Sequence, residues 1–277
     1  MTSEEKRQEK LLLLLLALAN DTERRIFIPQ RVRVMTAMRK IRRLVQRMSP
    51  TGPFRSFEWA RIQPLVLPIL NELSWSFRNT LLRELQPLVP EVQDAAADFI
   101  NPLETDPPVL VPRSQEELAS WVTDGTSTTL LVLLGAQLAA SRYSLQMADD
   151  LNKKVRGLII ADTPTQEIAD KVVKIVQYKG KPAAVLQSGS YASQVMNRVK
   201  NTVAGAAWSA VSNELITAMQ DVEVDTWVWN AILDPATCPV CRPLHQQTRP
   251  KPSLFPFAPP IHPRCRCAVL PVYTKPD

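Results

Sequence analysis

Apolar residues recur at every third or fourth position along much of the chain before residue 220, and this period predicts helices. The clearest run steps by four from Val195 to Met219, which predicts an amphipathic helix of about 28 residues. A second apolar side runs from Phe57 to Leu88, with Pro64 and Pro68 near its beginning, where proline belongs to the first turns or kinks the helix. We therefore expect a chain built mainly of helices.

The N-terminal segment also has a helical pattern. Thr2 and Glu5 form a capping-box pair, and the helix that follows is expected to run to about Ala19. Six consecutive leucines, Leu11–Leu16, would face every side of this helix, so we expect the segment to be buried against another element or another subunit. Pro29 is expected to interrupt the helix, because it removes a backbone donor and clashes with the preceding turn.

No acidic residue lies between Arg24 and Phe57, although the segment is rich in arginine. Its apolar residues are spaced by four and three, which predicts one apolar stripe on a basic helix: Val34, Met38, Ile41, Val45 and Met48. Such a helix binds phosphates or an acidic protein surface, but a packed helix with a solvated basic face has the same pattern. The candidate contact residues are Arg39, Lys40, Arg42, Arg43 and Arg47.

Proline-rich stretches suggest how the chain is divided. Residues 1–50 form the basic N-terminal helices, and residues 51–113 form a helical segment that ends in the proline-rich linker Asn101–Arg113. Residues 114–277 begin with a second capping box, continue as helices to about Lys154, and end in a cysteine-rich module.

The C-terminal part of the chain has clearer signals for the ends of helices and strands. Thr163, Pro164 and Gln166 predict the start of a helix that continues to about Tyr178 and is ended by Gly180. After Met219 the apolar period changes from about 3.6 to 2, which predicts a strand over residues 222–233. Residues 268–272 predict a second strand. The expected fold is mainly α with a small C-terminal antiparallel β hairpin.

All four cysteines lie within thirty residues, as Cys238-Pro-Val-Cys241 and His262-Pro-Arg-Cys265-Arg-Cys267. Zinc prefers four tetrahedral ligands with sulfur and nitrogen donors, and two remote clusters suit one ion. Residues 242–264 contain seven prolines and are expected to be irregular. An irregular segment of this length in a compact unit needs an additional stabilising link, which a bound metal would provide. The candidate ligands of a structural zinc are Cys238, Cys241, Cys265, Cys267 and His262.

Several alternatives remain for these residues. The ligands are either the four cysteines or three of them with His262, and His245 is a further candidate. Two disulfides or unliganded thiols are the competing interpretations. A redox-active Cys-x-x-Cys is disfavoured, because such motifs usually open a helix and the stretch after Pro243 is polar and proline-rich.

Composition narrows the function classes. The chain has 277 residues with net charge +6, 7 glycines and 24 prolines. It has no glycine-rich dinucleotide or P-loop motif and no serine nucleophile elbow, so we expect no catalytic residues. Its longest apolar runs are far shorter than the roughly 20 residues that span a bilayer, and we expect no secretory signal and no membrane contact. A reducing cytoplasm fits these features and favours metal over disulfide.

The closing motif resembles a known family. Trp229-Asn-Ala-Ile-Leu-Asp234, Thr237-Cys238-Pro-Val-Cys241 and Pro260-Ile-His262-Pro-Arg-Cys265-Arg-Cys267 are similar to the phage Mu F-like head morphogenesis family, the minor head proteins of tailed bacteriophages. The resemblance is close over this motif and looser over residues 158–277. Family members often have Asp-Gly after the Cys-x-x-Cys, where this chain has Leu244-His245-Gln246-Gln247, so a different turn is expected there.

The resemblance implies a structural protein and no reaction. It implies a virion component of the head interior or portal vertex, present in a few copies per head and assembled in the bacterial host cytoplasm. Its partners would be portal or capsid subunits. The basic N-terminal helices lie outside the resemblance, and from their charge we expect them to contact double-stranded DNA or an acidic partner. The alternatives are a metal-dependent nuclease or a zinc-containing DNA-binding protein, and both are disfavoured. The chain has only two histidines, and the proline-rich segment between the cysteine clusters leaves no recognition helix.

Overall fold

The computed structural model describes residues 3–48, 53–100, 146–176, 185–219, 226–257, 259–262 and 264–272. These residues are mainly helical, with a small C-terminal antiparallel sheet, as predicted. The helices are α1 (Ser3–Met48), α2 (Ser56–Leu85), α3 (Leu88–Ile100), α4 (146–160), α5 (Thr165–Val172) and α6 (Tyr191–Ala218). The predicted linker and the helices expected between residues 114 and 145 lie outside the described residues.

The strands form two antiparallel sheets. The first pairs β1 (Ile175–Val176) with β2 (Val185–Leu186). The second has the order β4-β3-β5, with β3 (Thr226–Ala231) in the centre, β4 (Thr248–Arg249) and β5 (Cys267–Val272). The predicted hairpin is therefore β3 and β5, to which the chain adds β4 as a third strand.

The chain divides into two compact units, and both are discontinuous in sequence. The described part of the first, which we call the sheet unit, comprises the three-stranded sheet and residues 3–25, 82–100, 201–219, 226–257, 259–262 and 264–272. The described part of the second, the helical unit, comprises residues 26–48, 53–81, 146–176 and 185–200. No described helix combines the length and the apolar character that a bilayer span requires.

Helix α1 continues through Pro29, so the prediction of an interruption there is wrong. Proline inside a helix costs about 3 kcal/mol. On either side of it, Ile26 and Gln30 are fully buried, and Gln30 donates a 2.8 Å hydrogen bond to the Thr80 hydroxyl of α2. The apolar stripe predicted for the basic segment is confirmed, since Val34, Met38, Ile41 and Val45 are also fully buried. Tertiary packing of this face outweighs the local cost of the proline.

The leucine run is amphipathic in the structure. Leu11, Leu12 and Leu15 are buried within the sheet unit, whereas Leu13 and Leu14 are exposed. Nearby, the Gln8 amide donates to the carbonyl of Pro271 in β5 at 3.5 Å, so the beginning of α1 contacts the sheet. Burial against another element is thus confirmed for one side of the run.

Helix α5 ends earlier than predicted. It stops at Val172, and Val173 is already extended, so the expected continuation to Tyr178 is wrong. Four of the five residues from Val172 to Val176 are β-branched, and such residues favour strand over helix, which accounts for β1 directly after α5. The start also differs by one position: Pro164 is the N-cap, and no side chain caps the helix.

The 28-residue helix is confirmed as α6, Tyr191–Ala218. Its start is defined by the preceding turn, where Gly189 has a φ of +80° and the Ser193 N–H donates to the Ser190 hydroxyl at 3.2 Å. Farther along, the indole N–H of Trp208 donates a 2.7 Å hydrogen bond to the carbonyl of Cys267. This buried bond ties α6 to the first residue of β5.

Candidate metal centre

The two cysteine clusters lie at the same end of the three-stranded sheet. Strands β3 and β5 are antiparallel, and Ala231 at the end of β3 is paired with Cys267 at the start of β5. The chain leaving β3 carries Cys238 and Cys241, and the chain entering β5 carries His262 and Cys265. The register of the sheet therefore brings together two parts of the chain that are about 25 residues apart.

A tight turn after β3 presents the first cluster. The Asp234 N–H donates to the Thr237 hydroxyl at 2.9 Å, and the Ala236 N–H donates to the Asp234 carboxylate at 2.8 Å. One step later the Arg242 N–H donates to the carbonyl of Cys238 at 3.1 Å, and the Cys241 N–H donates to the Cys238 sulfur at 3.2 Å. These bonds point both sulfurs of the Cys-x-x-Cys in one direction.

The five predicted donors form two groups of three that share Cys241. Its sulfur is 3.7 Å from Nε2 of His262 and 3.8 Å from the sulfur of Cys265. Donor atoms of two groups, Cys238 with Cys241 and His262, and Cys241 with Cys265 and Cys267, each lie within 4.8 Å of one another. A tetrahedral ion with metal–sulfur bonds of about 2.3 Å requires sulfurs about 3.8 Å apart. This cluster can hold a metal ion.

No disulfide links these cysteines. All four are free thiols, and 3.8 Å between the sulfurs of Cys241 and Cys265 is far longer than the roughly 2 Å of a disulfide bond. A cavity of about 10 Å³ lies against Cys238, Cys241, His262 and Cys267. That volume corresponds to about one small sphere, so the cavity has room for one ion.

The two histidines have different surroundings. Nδ1 of His245 accepts a 3.1 Å hydrogen bond from the backbone N–H of Ala231, and this histidine belongs to neither donor group. Burial lowers its pKa, so the neutral ring that can accept this bond is favoured. His262 is the histidine of the cluster, and the alternative that placed His245 among the ligands is not supported by the geometry.

Crowding makes the four thiols unequal in proton affinity. Burial, followed by a hydrogen bond with Cys238, raises the pKa of Cys241 to about 12. A hydrogen bond from Cys267 is the main cause that lowers the pKa of Cys265 to about 5, and the same bond, together with burial, raises the pKa of Cys267. Burial is also the largest influence on Cys238 and opposes its ionisation, but hydrogen bonds, chiefly from Cys241, outweigh it and lower the pKa. A divalent cation would replace these shared protons, because metal binding requires thiolates.

An ion pair beside the cluster was not anticipated from the sequence. Both Nη atoms of Arg266 lie 2.7 Å from the two carboxylate oxygens of Asp234, one bond to each oxygen. The hydrogen bond from Arg266 is the main reason why the pKa of Asp234 falls to about 2. The position of Arg266 between two cysteines was the only sequence signal, and it does not identify the partner.

The structure separates the five predicted basic contact residues of α1 into two groups. Arg42 forms an ion pair with Asp170 at 2.7 Å, and Lys40 lies 3.7 Å from Glu72, so both have carboxylate partners. Arg39, Arg43 and Arg47 are exposed and form no hydrogen bond or ion pair within the described part of the chain. Their spacing of four places them in one row, about 6 Å apart along the helix axis. We call these three residues the arginine row.

The fold and the cluster define a mainly helical protein with a C-terminal Cys/His module that can hold a metal ion. No family model, curated protein or solved structure matches the chain. The likeness of the closing motif to the Mu F-like family therefore stays a prediction.

Proposed function

We propose that this chain is a structural minor head protein of a tailed phage that acts in head assembly near the portal. The observation that carries the proposal is the cluster around Cys241. The motif that resembles the Mu F-like family is spread over about 40 residues of sequence, and its Cys and His donors form two groups that share Cys241. This grouping of the donors of the motif supports the proposal.

We also propose that zinc occupies this site. The donors are thiolates and one imidazole, with no carboxylate in either group, and such donor sets suit zinc better than magnesium or calcium. Cys241, Cys265 and Cys267 are buried, and the cavity of about 10 Å³ beside the donors is about the size of one ion. Catalytic zinc keeps an open position for water or substrate, whereas structural zinc is closed, so we assign a structural role.

The histidines favour a structural function over a nuclease. A metal-dependent nuclease needs a general base and ligands for a second, catalytic metal. This chain has two histidines, of which His262 belongs to the cluster and His245 accepts a hydrogen bond from the end of β3. We expect the purified chain with magnesium or manganese to leave supercoiled plasmid intact.

The test of the proposed function is the presence of the chain in particles and its binding to the portal. Mass spectrometry of purified virions should detect the chain in a few copies per head, and the full chain should capture the portal protein of the same phage. Absence from particles together with absence of portal binding would reject the head-protein function. Metal content plays no part in this test, so the two proposals can fail separately.

We propose that the arginine row contacts the packaged double-stranded DNA. Replacing Arg39, Arg43 and Arg47 together by glutamine should weaken DNA binding and reduce the salt dependence. Each phosphate contact contributes about 0.9 to the slope of log affinity against log salt, so losing three should lower the slope by about 2.7. Fluorescence anisotropy with a DNA duplex over a series of salt concentrations measures this.

The matched control removes three other exposed charges of the helical unit, with glutamine at Arg61, Arg156 and Lys171. It changes net charge by the same amount and should leave the slope nearly unchanged. Equal losses in the two triple variants would show a general charge effect and would contradict a specific contact at the row. Loss of portal capture with unchanged DNA binding would assign the row to an acidic protein partner.

A further inference from the structure

The ion pair between Asp234 and Arg266 connects the two halves of the metal cluster. Asp234 belongs to the turn that presents Cys238 and Cys241, and Arg266 lies between Cys265 and Cys267. Their two parallel bonds of 2.7 Å form the bidentate fork that arginine makes with a carboxylate. One side-chain pair thus joins the chain segments that must meet to bind the ion.

Asp234 also organises the turn itself. Its carboxylate accepts from the Ala236 N–H at 2.8 Å, and its own N–H donates to the Thr237 hydroxyl at 2.9 Å. The carbonyl of Asp234 accepts from the Thr237 N–H at 3.0 Å and from Arg242 at 3.1 Å. A change at this carboxylate therefore affects the turn that presents the first cysteine pair as well as the contact with the second.

We infer that Asp234 and Arg266 form a latch that holds the two donor groups in position for the metal ion, so that both are positioning residues of the centre. The inference rests on the proposed zinc. Partners just outside the ligand shell orient the ligands, and their loss typically lowers metal affinity about 10–100-fold.

An ordinary surface ion pair would have a different effect. The two side chains are about one-third exposed, at 32% and 34%, and an exposed ion pair contributes little to stability. If the pair were only that, its removal would leave the metal affinity unchanged. The latch predicts a change in metal binding that is larger than the change in thermal stability.

The experiment compares full-length variants by competition for zinc with a chromophoric chelator and by the visible spectrum of the cobalt-loaded protein. Asp234→Asn and Arg266→Gln should each lower zinc affinity about 10–100-fold and speed its release. Arg266→Lys keeps the charge but loses the bidentate fork, so its zinc affinity should lie between those of Arg266→Gln and the wild type. The double variant Asp234→Asn with Arg266→Gln should be little weaker than either single variant, because the two residues act as one pair.

The matched control is Arg264→Gln. Arg264 is exposed, borders the same small cavity as Arg266 and has no side-chain partner within the described residues, so its loss removes an equal charge beside the cluster without breaking the latch. A latch variant no weaker than this control, or a double variant whose loss is the sum of the two single losses, would overturn the inference. A wild-type chain that binds no zinc would instead reject the proposed metal. Wild-type binding of one zinc with unaffected latch variants would reject the latch alone.

Discussion

Replacing Cys241 by serine should abolish metal binding and with it the fixed structure of the C-terminal module. Cys241 belongs to both donor groups and lies within 3.8 Å of both His262 Nε2 and the Cys265 sulfur. Structural zinc contributes about 10–16 kcal/mol of apparent free energy in small modules, which is comparable to the whole stability of a typical domain. Elemental analysis should find one zinc per wild-type chain and almost none in the variant.

The consequence for structure should be local. Trp227 and Trp229 are buried in β3, so loss of the module should reduce the near-ultraviolet tryptophan signal. The far-ultraviolet signal of the helices should largely remain, because most described helical residues lie outside the module. Treatment of the wild-type protein with a strong chelator should produce the same spectra. A Cys241→Ser chain that still binds one zinc tightly would contradict the central position of this thiol.

Three further substitutions define the ligand set within the same experiment. Cys241 and the four donors around it make five, but zinc takes four ligands. Cys267 lines the small cavity together with Cys238, Cys241 and His262, so Cys267→Ser should weaken zinc binding more than Cys265→Ser. His245→Asn keeps a hydrogen-bond acceptor near Ala231 and should leave the zinc content unchanged.

Periodicity alone was sufficient for α6 and for the central strand of the C-terminal sheet. The four-residue step from Val195 to Met219 predicted α6 almost to its ends, the change of period predicted β3, and residues 268–272 predicted β5. Both signals come from faces that are buried, and burial of one face is what fixes a helix or a strand in a folded protein. The five donors were likewise found from sequence, because cysteine is rare in this chain.

Elements that depend on tertiary contacts were missed. Pro29 was expected to break α1, but the buried face around it keeps the helix continuous. Strand β4 has two residues and no periodic signal, and it exists because it pairs with Trp227 and Val228. The same limit applied to charges: only the structure showed that Arg42 is paired with Asp170, about 130 residues away. The division of the chain at residues 50 and 113 stays a prediction.

The largest effect expected outside the metal site comes from Trp229. Its side chain is fully buried in the central strand, and its ring packs on Phe255 at a centroid distance of 5.7 Å. Trp229→Ala should lower the free energy of unfolding by about 3–5 kcal/mol, because it leaves a large cavity. Denaturant unfolding of the zinc-loaded chain, followed by the remaining tryptophan fluorescence, measures the loss.

Trp229→Phe is the matched control, and it should destabilise the chain much less than Trp229→Ala. The indole N–H of Trp229 is buried without a hydrogen-bond partner among the described residues, so phenylalanine removes an unsatisfied donor while it keeps most of the apolar volume. Removal of the unsatisfied donor should offset much of the cost of the smaller cavity that phenylalanine leaves. The free energy of unfolding should therefore change by less than about 1.5 kcal/mol. Equal destabilisation by alanine and phenylalanine would show that an unseen hydrogen bond, rather than packing, is what Trp229 provides.

Trp229 also holds the proline-rich segment between the two cysteine clusters in place, independently of the proposed metal. The backbone N–H of Trp229 donates to the carbonyl of Gln247 at 2.9 Å, and the backbone carbonyl of Trp229 accepts from the Gln246 N–H at 2.8 Å. Phe255, farther along the same segment, packs on the indole ring. The segment is therefore held at the sheet by Trp229 and at its two ends by the cysteine cluster. Trp229→Ala should consequently speed zinc release as well as lower stability, because the cysteine clusters are fixed to the ends of the strands that it destabilises.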